Sequence, residues 1–205
     1  PVVIFSRRSG ITSLDDWKRA TPPPRLGSSG LRTTTGVVPR IVASSLDLPM
    51  RLVSGYGGTA EVRLALEGGE LDGYAFDDTV TRADAGQDTV VLRVGPAARP
   101  DRAAVPDAVD HAAAGRPRRL LELGVLAMRP FGRVFVAPSG ITPERRAQLR
   151  DGLMHTWADP AFLAEAQTAG LTIAPVSGTQ LDAAAATLSS EPDVMDALRA
   201  LLQQD

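Results

Sequence analysis

Two stretches of this chain carry the groups that could hold an anion without a metal and without a lysine. The first is Gly27-Ser28-Ser29-Gly30, followed by Thr33, Thr34 and Thr35. The second is Tyr56-Gly57-Gly58-Thr59. Each follows a strand-like run and precedes a helix-like one. A helix amino terminus offers unpaired N–H groups and partial positive charge, and glycine lets an anion approach the backbone. Serine and threonine hydroxyls add donors. If the strands are parallel, both stretches lie at one carboxyl edge of a sheet, where open α/β folds bind ligands. Taken singly, either is equally an ordinary strand-to-helix connection with an N-cap. A third feature, Asp77-Asp78, closes a strand-like run. It could hold an amine or a cation, or cap the residues after it.

Other chemistry is sparse. The two histidines, His111 and His155, have no motif partner, and no His-x-x-x-His pair exists, so no metal site is expected. The absence of cysteine excludes disulfides and thiolate catalysis. No Gly-x-Ser-x-Gly elbow is present. Lys18 is the only lysine, and no glycine-rich loop precedes it, which excludes a P-loop. A net charge of −2 carries no basic excess, so nucleic acid is not an expected partner. No apolar run approaches the ~18–20 residues of a membrane span. A hydrophobic share of 43% in 205 residues supports a real core, in one large domain or two small ones.

The elements that must position the two stretches alternate. Val2–Phe5 reads as a strand. Ser13 caps a short helix that closes on Lys18 and Arg19. A helix is predicted from about Gly36–Pro39 through Leu46, with Pro39 in its first turn. Met50–Val53 reads as a strand, and Thr59 as the cap of a helix through Leu66 that stops at Gly68-Gly69. Strands follow at 71–76 and 89–94, then a leucine-rich helix at 118–128. This order implies βαβ crossovers and a mainly parallel sheet. Strands are also predicted at 131–136 and 171–176. Helices are predicted from Thr142, with Leu149, Leu153 and Trp157 on one face, from Asp159-Pro160, and at 178–189 and 191–203.

The run Arg51-Leu52-Val53-Ser54-Gly55-Tyr56-Gly57-Gly58-Thr59, continuing through Gly68-Gly69-Glu70-Leu71-Asp72-Gly73, resembles the tripartite tricarboxylate transporter receptors. Gly27-Ser28-Ser29-Gly30 is similar to the small-residue anion loop of that family. Phe131-Gly132-Arg133-Val134-Phe135-Val136 with Pro138-Ser139-Gly140-Ile141-Thr142-Pro143 resembles its return strand and following helix. Asp159-Pro160-Ala161-Phe162 and Pro175-Val176-Ser177-Gly178 continue the likeness. The resemblance implies a periplasmic-binding-type α/β fold of two lobes with the ligand between them. Residues 1–134 would form the second lobe, with a mainly parallel sheet. Residues 135–205 would form a mostly helical carboxy-terminal part of the first lobe, whose amino-terminal part would precede Pro1.

The function so implied is capture of a small carboxylate for the membrane components of a tripartite transporter, in the periplasm or another extracytoplasmic space. No catalysis and no cofactor are expected. The residues expected to bind ligand are Gly27, Ser28, Ser29, Gly30, Thr33, Thr34, Thr35, Tyr56, Gly57, Gly58, Thr59 and Asp77. The alternative is an α/β enzyme that handles a small anionic substrate, which would need a general base near one of the two loops.

Overall fold

The computed structural model describes residues 1–77, 87–97, 99–171 and 173–203. It divides into two bodies, residues 1–126 with 192–205, and residues 127–191.

The first body is built on a five-stranded sheet of order β3-β2-β4-β1-β5. The strands are β1 (Val2–Ser6), β2 (Arg25–Ser28), β3 (Arg51–Ser54), β4 (Gly73–Phe76) and β5 (Asp88–Arg93). Strands β2, β3 and β4 are mutually parallel, as the alternation of strands and helices implied. Strand β1 is antiparallel to both β4 and β5. The sheet is therefore mixed: β2, β3, β4 and β5 all run one way, and β1 alone runs against them. All five residues of β1 are buried, which is why Val-Val-Ile-Phe shows no alternation.

Helices cover both faces of this sheet. Helix α3 (Thr59–Glu67) lays Val62, Ala65 and Leu66 on Val2, Ile4, Leu71 and Tyr74. Gly27 of β2 faces the same side. A Cβ there would come within 2.3 Å of Leu71 Cδ1 and 2.8 Å of Val62 Cγ1, so the missing side chain is what admits α3. The neighbouring Ser28 points to the opposite face, because side chains alternate along a strand. There it meets helix α2 (Thr34–Leu46), where a Cβ on Gly36 would stand 2.9 Å from Ser28 Oγ and 2.3 Å from the Gly30 carbonyl. Helix α2 starts earlier than expected, so Pro39 lies in its interior and brings no N–H to the Thr35 carbonyl.

On the β1 side, helix α1 (Leu14–Lys18) buries Trp17 against Phe5, ring centroids 5.0 Å apart and edge-on. The predicted helix at 118–128 is two pieces, α5 (Arg116–Leu121) and a π-helical turn (Glu122–Leu126), after the short α4 (Ala108–His111). Gly124 in that turn lies close under Ile41 of α2 and Leu198 of α9 (Pro192–Gln203). Helix α9 thus packs in the first body. The expected boundary at 134/135 had placed it with the second.

An ion pair closes the amino-terminal edge of the sheet. Asp72, ahead of β4, accepts from the Arg25 backbone N–H at 2.7 Å and from its guanidinium at 3.0 and 2.9 Å. The Arg25 side chain, through these bonds, holds the Asp72 carboxyl below its usual value against the opposing effect of burial. A carboxyl depressed on folding contributes stability above its unfolded pKa of about 4, and the contribution is lost as pH falls through the folded value. Asp72→Asn is therefore expected to destabilise the chain by roughly 1–2 kcal/mol at pH 7. Urea unfolding at several pH values should show the gap from the parent narrowing below about pH 4. A gap independent of pH would contradict this account.

The second body comprises α6 (Pro143–Ala158), α7 (Pro160–Thr168) and α8 (Gly178–Ser189). Its first two helices start where Thr142 and Asp159-Pro160 were expected to start them, and the third starts at the expected Gly178. Thr142 Oγ1 accepts from Arg145 N at 3.2 Å, Asp159 from Phe162 N at 2.9 Å, and Ser177 forms a capping box with Gln180. Phe135 and Trp157 meet at 5.8 Å, and Arg150 pairs with Asp182 at 3.3 Å. The predicted strands at 131–136 and 171–176 do not form over their described residues. Val134, Phe135 and Val136 are exposed, Val136 at 87%, and no strand lies beside them among the described residues of this body. β-branched residues favour extended backbone, but a strand also needs a partner. Of the expected α6 face, Leu153 and Trp157 are half-buried, and Leu149 is exposed.

Candidate functional site

Strands β2 and β3 pair in register, with Ser28 opposite Ser54. Their carboxyl ends lie one strand spacing apart, about 4.8 Å. The stretches that follow, 29–33 and 55–58, thus leave the sheet side by side and lead into α2 and α3. Gly27 pairs with Tyr74 of β4, so Asp77, just past Phe76, belongs to the same edge. The structure thus brings the two glycine-rich stretches and Asp77 to one edge. Asp77 is exposed there, and Asp78, with the helix it was expected to cap, lies outside the described residues.

The first stretch is a closed ring of hydroxyls. Ser28 Oγ donates to the Gly30 carbonyl at 2.9 Å and accepts from Gly30 N at 3.0 Å. Thr35 Oγ1 accepts from Ser29 N at 3.0 Å and lies 3.1 Å from Ser29 Oγ and 2.8 Å from Thr33 Oγ1. Thr33 Oγ1 donates to the Gly30 carbonyl at 2.7 Å. Ser28 and Thr35 are buried. These hydroxyls bond one another and fix the loop. Gly27 and Ser28 are strand residues whose side chains or lack of one serve packing, not the loop surface. The N–H groups of Thr34 and Thr35, at the start of α2, have no acceptor among the described residues. Arg32, exposed in the same loop, is the only cation in either stretch.

The second stretch differs from expectation in two residues. Gly58, not Thr59, is the N-cap of α3, and Thr59 is the first helical residue. The N–H groups of Thr59, Ala60 and Glu61 have no acceptor among the described residues. Tyr56 does not face the edge. Its ring packs on the core beneath α3, and its hydroxyl donates to Glu70 Oε1 at 3.0 Å. Burial, and then the Glu70 carboxylate, push the Tyr56 hydroxyl above its ordinary pKa. The Gly57 N–H donates to Glu61 Oε2 at 2.7 Å. Glu61 was not among the sequence candidates. The available signal was an acid in the first helical turn, four residues after a glycine.

The open donors are therefore the amino ends of α2 and α3, of thirteen and nine residues. Both helices point their positive ends at the same sheet edge. Two depressions of the first body lie elsewhere. One of about 370 Å³ is lined by Ser9, Asp16 and Asp72 at the opposite edge, and one of about 570 Å³ by Arg116, Arg119 and Asp193. His111 is exposed at the end of α4. His155 is exposed on α6, with Nδ1 2.7 Å from the Asp151 carbonyl. His111 makes no described bond to the residues of the edge loops. Among the described residues no cluster of three His, Asp or Glu is placed to hold a metal.

No family model matches the chain, and no curated protein matches it by sequence. Its fold is similar to that of solved structures. Against R. palustris Rpa4515 with adipate the TM-score is 0.65 at 14% identity, over 96% of this chain and 64% of that one. Against a TctC solute binding protein from Polaromonas, without ligand, it is 0.62 at 12% identity, over 98% of this chain and 65% of that one. The chain has the α/β, periplasmic-binding-protein-like fold of these structures, and it spans just under two thirds of their length. Among the described residues no helix is long and apolar enough to cross a membrane.

Proposed function

We propose that this chain is a solute-binding receptor that captures a small carboxylate for the membrane components of a tripartite secondary transporter. It does so outside the cytoplasmic membrane, and it binds without catalysis. One observation carries the reading: in-register parallel pairing of β2 and β3 sets the open amino ends of α2 and α3 side by side. Two such ends suit the two carboxylates of a short diacid better than one compact anion. The adipate named with the R. palustris neighbour supports the same ligand class. The first body is then a ligand-binding lobe, and residues 127–191 belong to the receptor's other lobe. The ligand contacts are the backbone N–H groups of Thr34, Thr35, Thr59 and Ala60, with Gly30 and Gly58 leaving room for the anion. The alternative, an enzyme acting on a small anion, draws no support from the solved structures the chain resembles.

Solvent-exposed charge interactions are worth about 1 kcal/mol each. Binding to this chain is therefore expected in the millimolar range, about −4 kcal/mol. Titration calorimetry with adipate, propane-1,2,3-tricarboxylate, hexanoate and inorganic phosphate tests it. The di- and tricarboxylate are expected to bind more tightly than hexanoate or phosphate. A chain that ignores all the carboxylates would refute the reading.

A further inference from the structure

We propose that Glu61 is a built-in competitor for the anion, a negative side chain held on the Gly57 N–H beside the open donors of α3, where its charge opposes a ligand carboxylate. This inference rests on the receptor reading above. Glu61 lies in the first turn of α3, and its carboxylate turns back to accept from the Gly57 N–H at 2.7 Å. A Cβ on residue 57 would stand 2.8 Å from Glu61 Oε1 and 3.2 Å from Oε2, so glycine is what lets the carboxylate lie on the backbone. It thus holds a negative charge one residue ahead of the N-cap, beside the N–H groups that an anion at this helix end would use. The residue is exposed and free to swing outward. The nearest arginine on the helix, Arg63, pairs with Glu67 at 3.0 Å instead of with Glu61. A ligand carboxylate at Thr59 and Ala60 therefore meets this negative charge and must move it aside or bind against it.

The competitor sets selectivity as well as affinity, because its repulsion grows with ligand charge. Removing the charge while keeping the shape, Glu61→Gln, is expected to tighten adipate binding about three- to tenfold. The gain should be smallest for hexanoate and largest for propane-1,2,3-tricarboxylate. Glu61→Asp keeps the charge and should stay near the parent. A carboxylate that merely braced the loop would give the reverse, weaker binding of all three acids once it is removed. Calorimetry on the parent and both variants separates the outcomes. If the parent binds adipate and Glu61→Gln binds it no tighter, the competitor role is wrong and the receptor reading stands. If none of the three proteins binds any of the three acids, the receptor reading fails and the competitor role fails with it.

Discussion

Replacing Trp17 by alanine is expected to destabilise the chain by about 3–5 kcal/mol, the range for deleting a buried large aromatic. Trp17 is fully buried on a helix of only five residues. So short a helix has almost no intrinsic stability and depends on its packed face. The indole packs edge-on against Phe5 of β1, and its N–H donates to the Pro49 carbonyl at 2.8 Å. Pro49 lies two residues before β3, so one side chain ties α1, β1 and the entry to β3 together. Loss of the ring leaves a cavity and an unpaired carbonyl. Trp17→Phe keeps most of the contact and loses the hydrogen bond, and it should cost about 1–2 kcal/mol. Urea unfolding followed by far-UV circular dichroism measures both. A Trp17→Ala loss below 1 kcal/mol would mean that α1 does not hold this edge in place.

The parallel course of β3 and β4 was legible because a helix separates them, which forces a crossover connection, whereas Gly27 and Ser28 of β2 read as loop. The direction of β1 was not legible. A strand buried on both faces reads as a plain apolar run, and such a run carries no sign of orientation. The strand-type composition of Phe131–Val136 was real, yet the segment is unpaired, since propensity describes one chain and a ladder needs two. Helix starts at Ser13, Thr142, Asp159 and Ser177 were legible because a cap is a local bond between residues three apart.

The candidate site was legible as an edge and much less so as a set of side chains. In-register pairing of two parallel strands is enough to place both loops together. Which way Tyr56 turns depends on Glu70, fourteen residues away, and no local pattern reports that. The ring of Ser28, Ser29, Thr33 and Thr35 looked like a row of ligand donors. Their spacing instead lets them bond one another, which leaves the backbone of the helix ends as the open donors. Gly27 resembled a loop glycine for the same reason: a missing side chain looks alike whether a ligand or a helix needs the space.

Gly58→Asp is expected to separate binding from folding. Gly58 is the N-cap of α3, with φ at 177°, an extended conformation open to any residue, and nothing lies within 4 Å of where its Cβ would be. Aspartate is among the best N-cap residues, so the variant should fold as well as the parent or gain a few tenths of a kcal/mol. Its carboxylate would accept from the N–H groups of the first turn, the ones assigned to the ligand, and would add a negative charge beside the anion. At about 4–5 Å such a charge costs ~1 kcal/mol in water and up to ~4 kcal/mol where the site is partly desolvated. Carboxylate affinity should therefore fall at least tenfold while the melting temperature holds or rises. Gly58→Ser, which caps without charge, should fold equally well and lose less affinity. Calorimetry with adipate, paired with thermal melts, gives both readouts on the same samples. An aspartate variant that is equally stable and binds adipate as tightly as the parent would show that the anion does not sit at the amino end of α3.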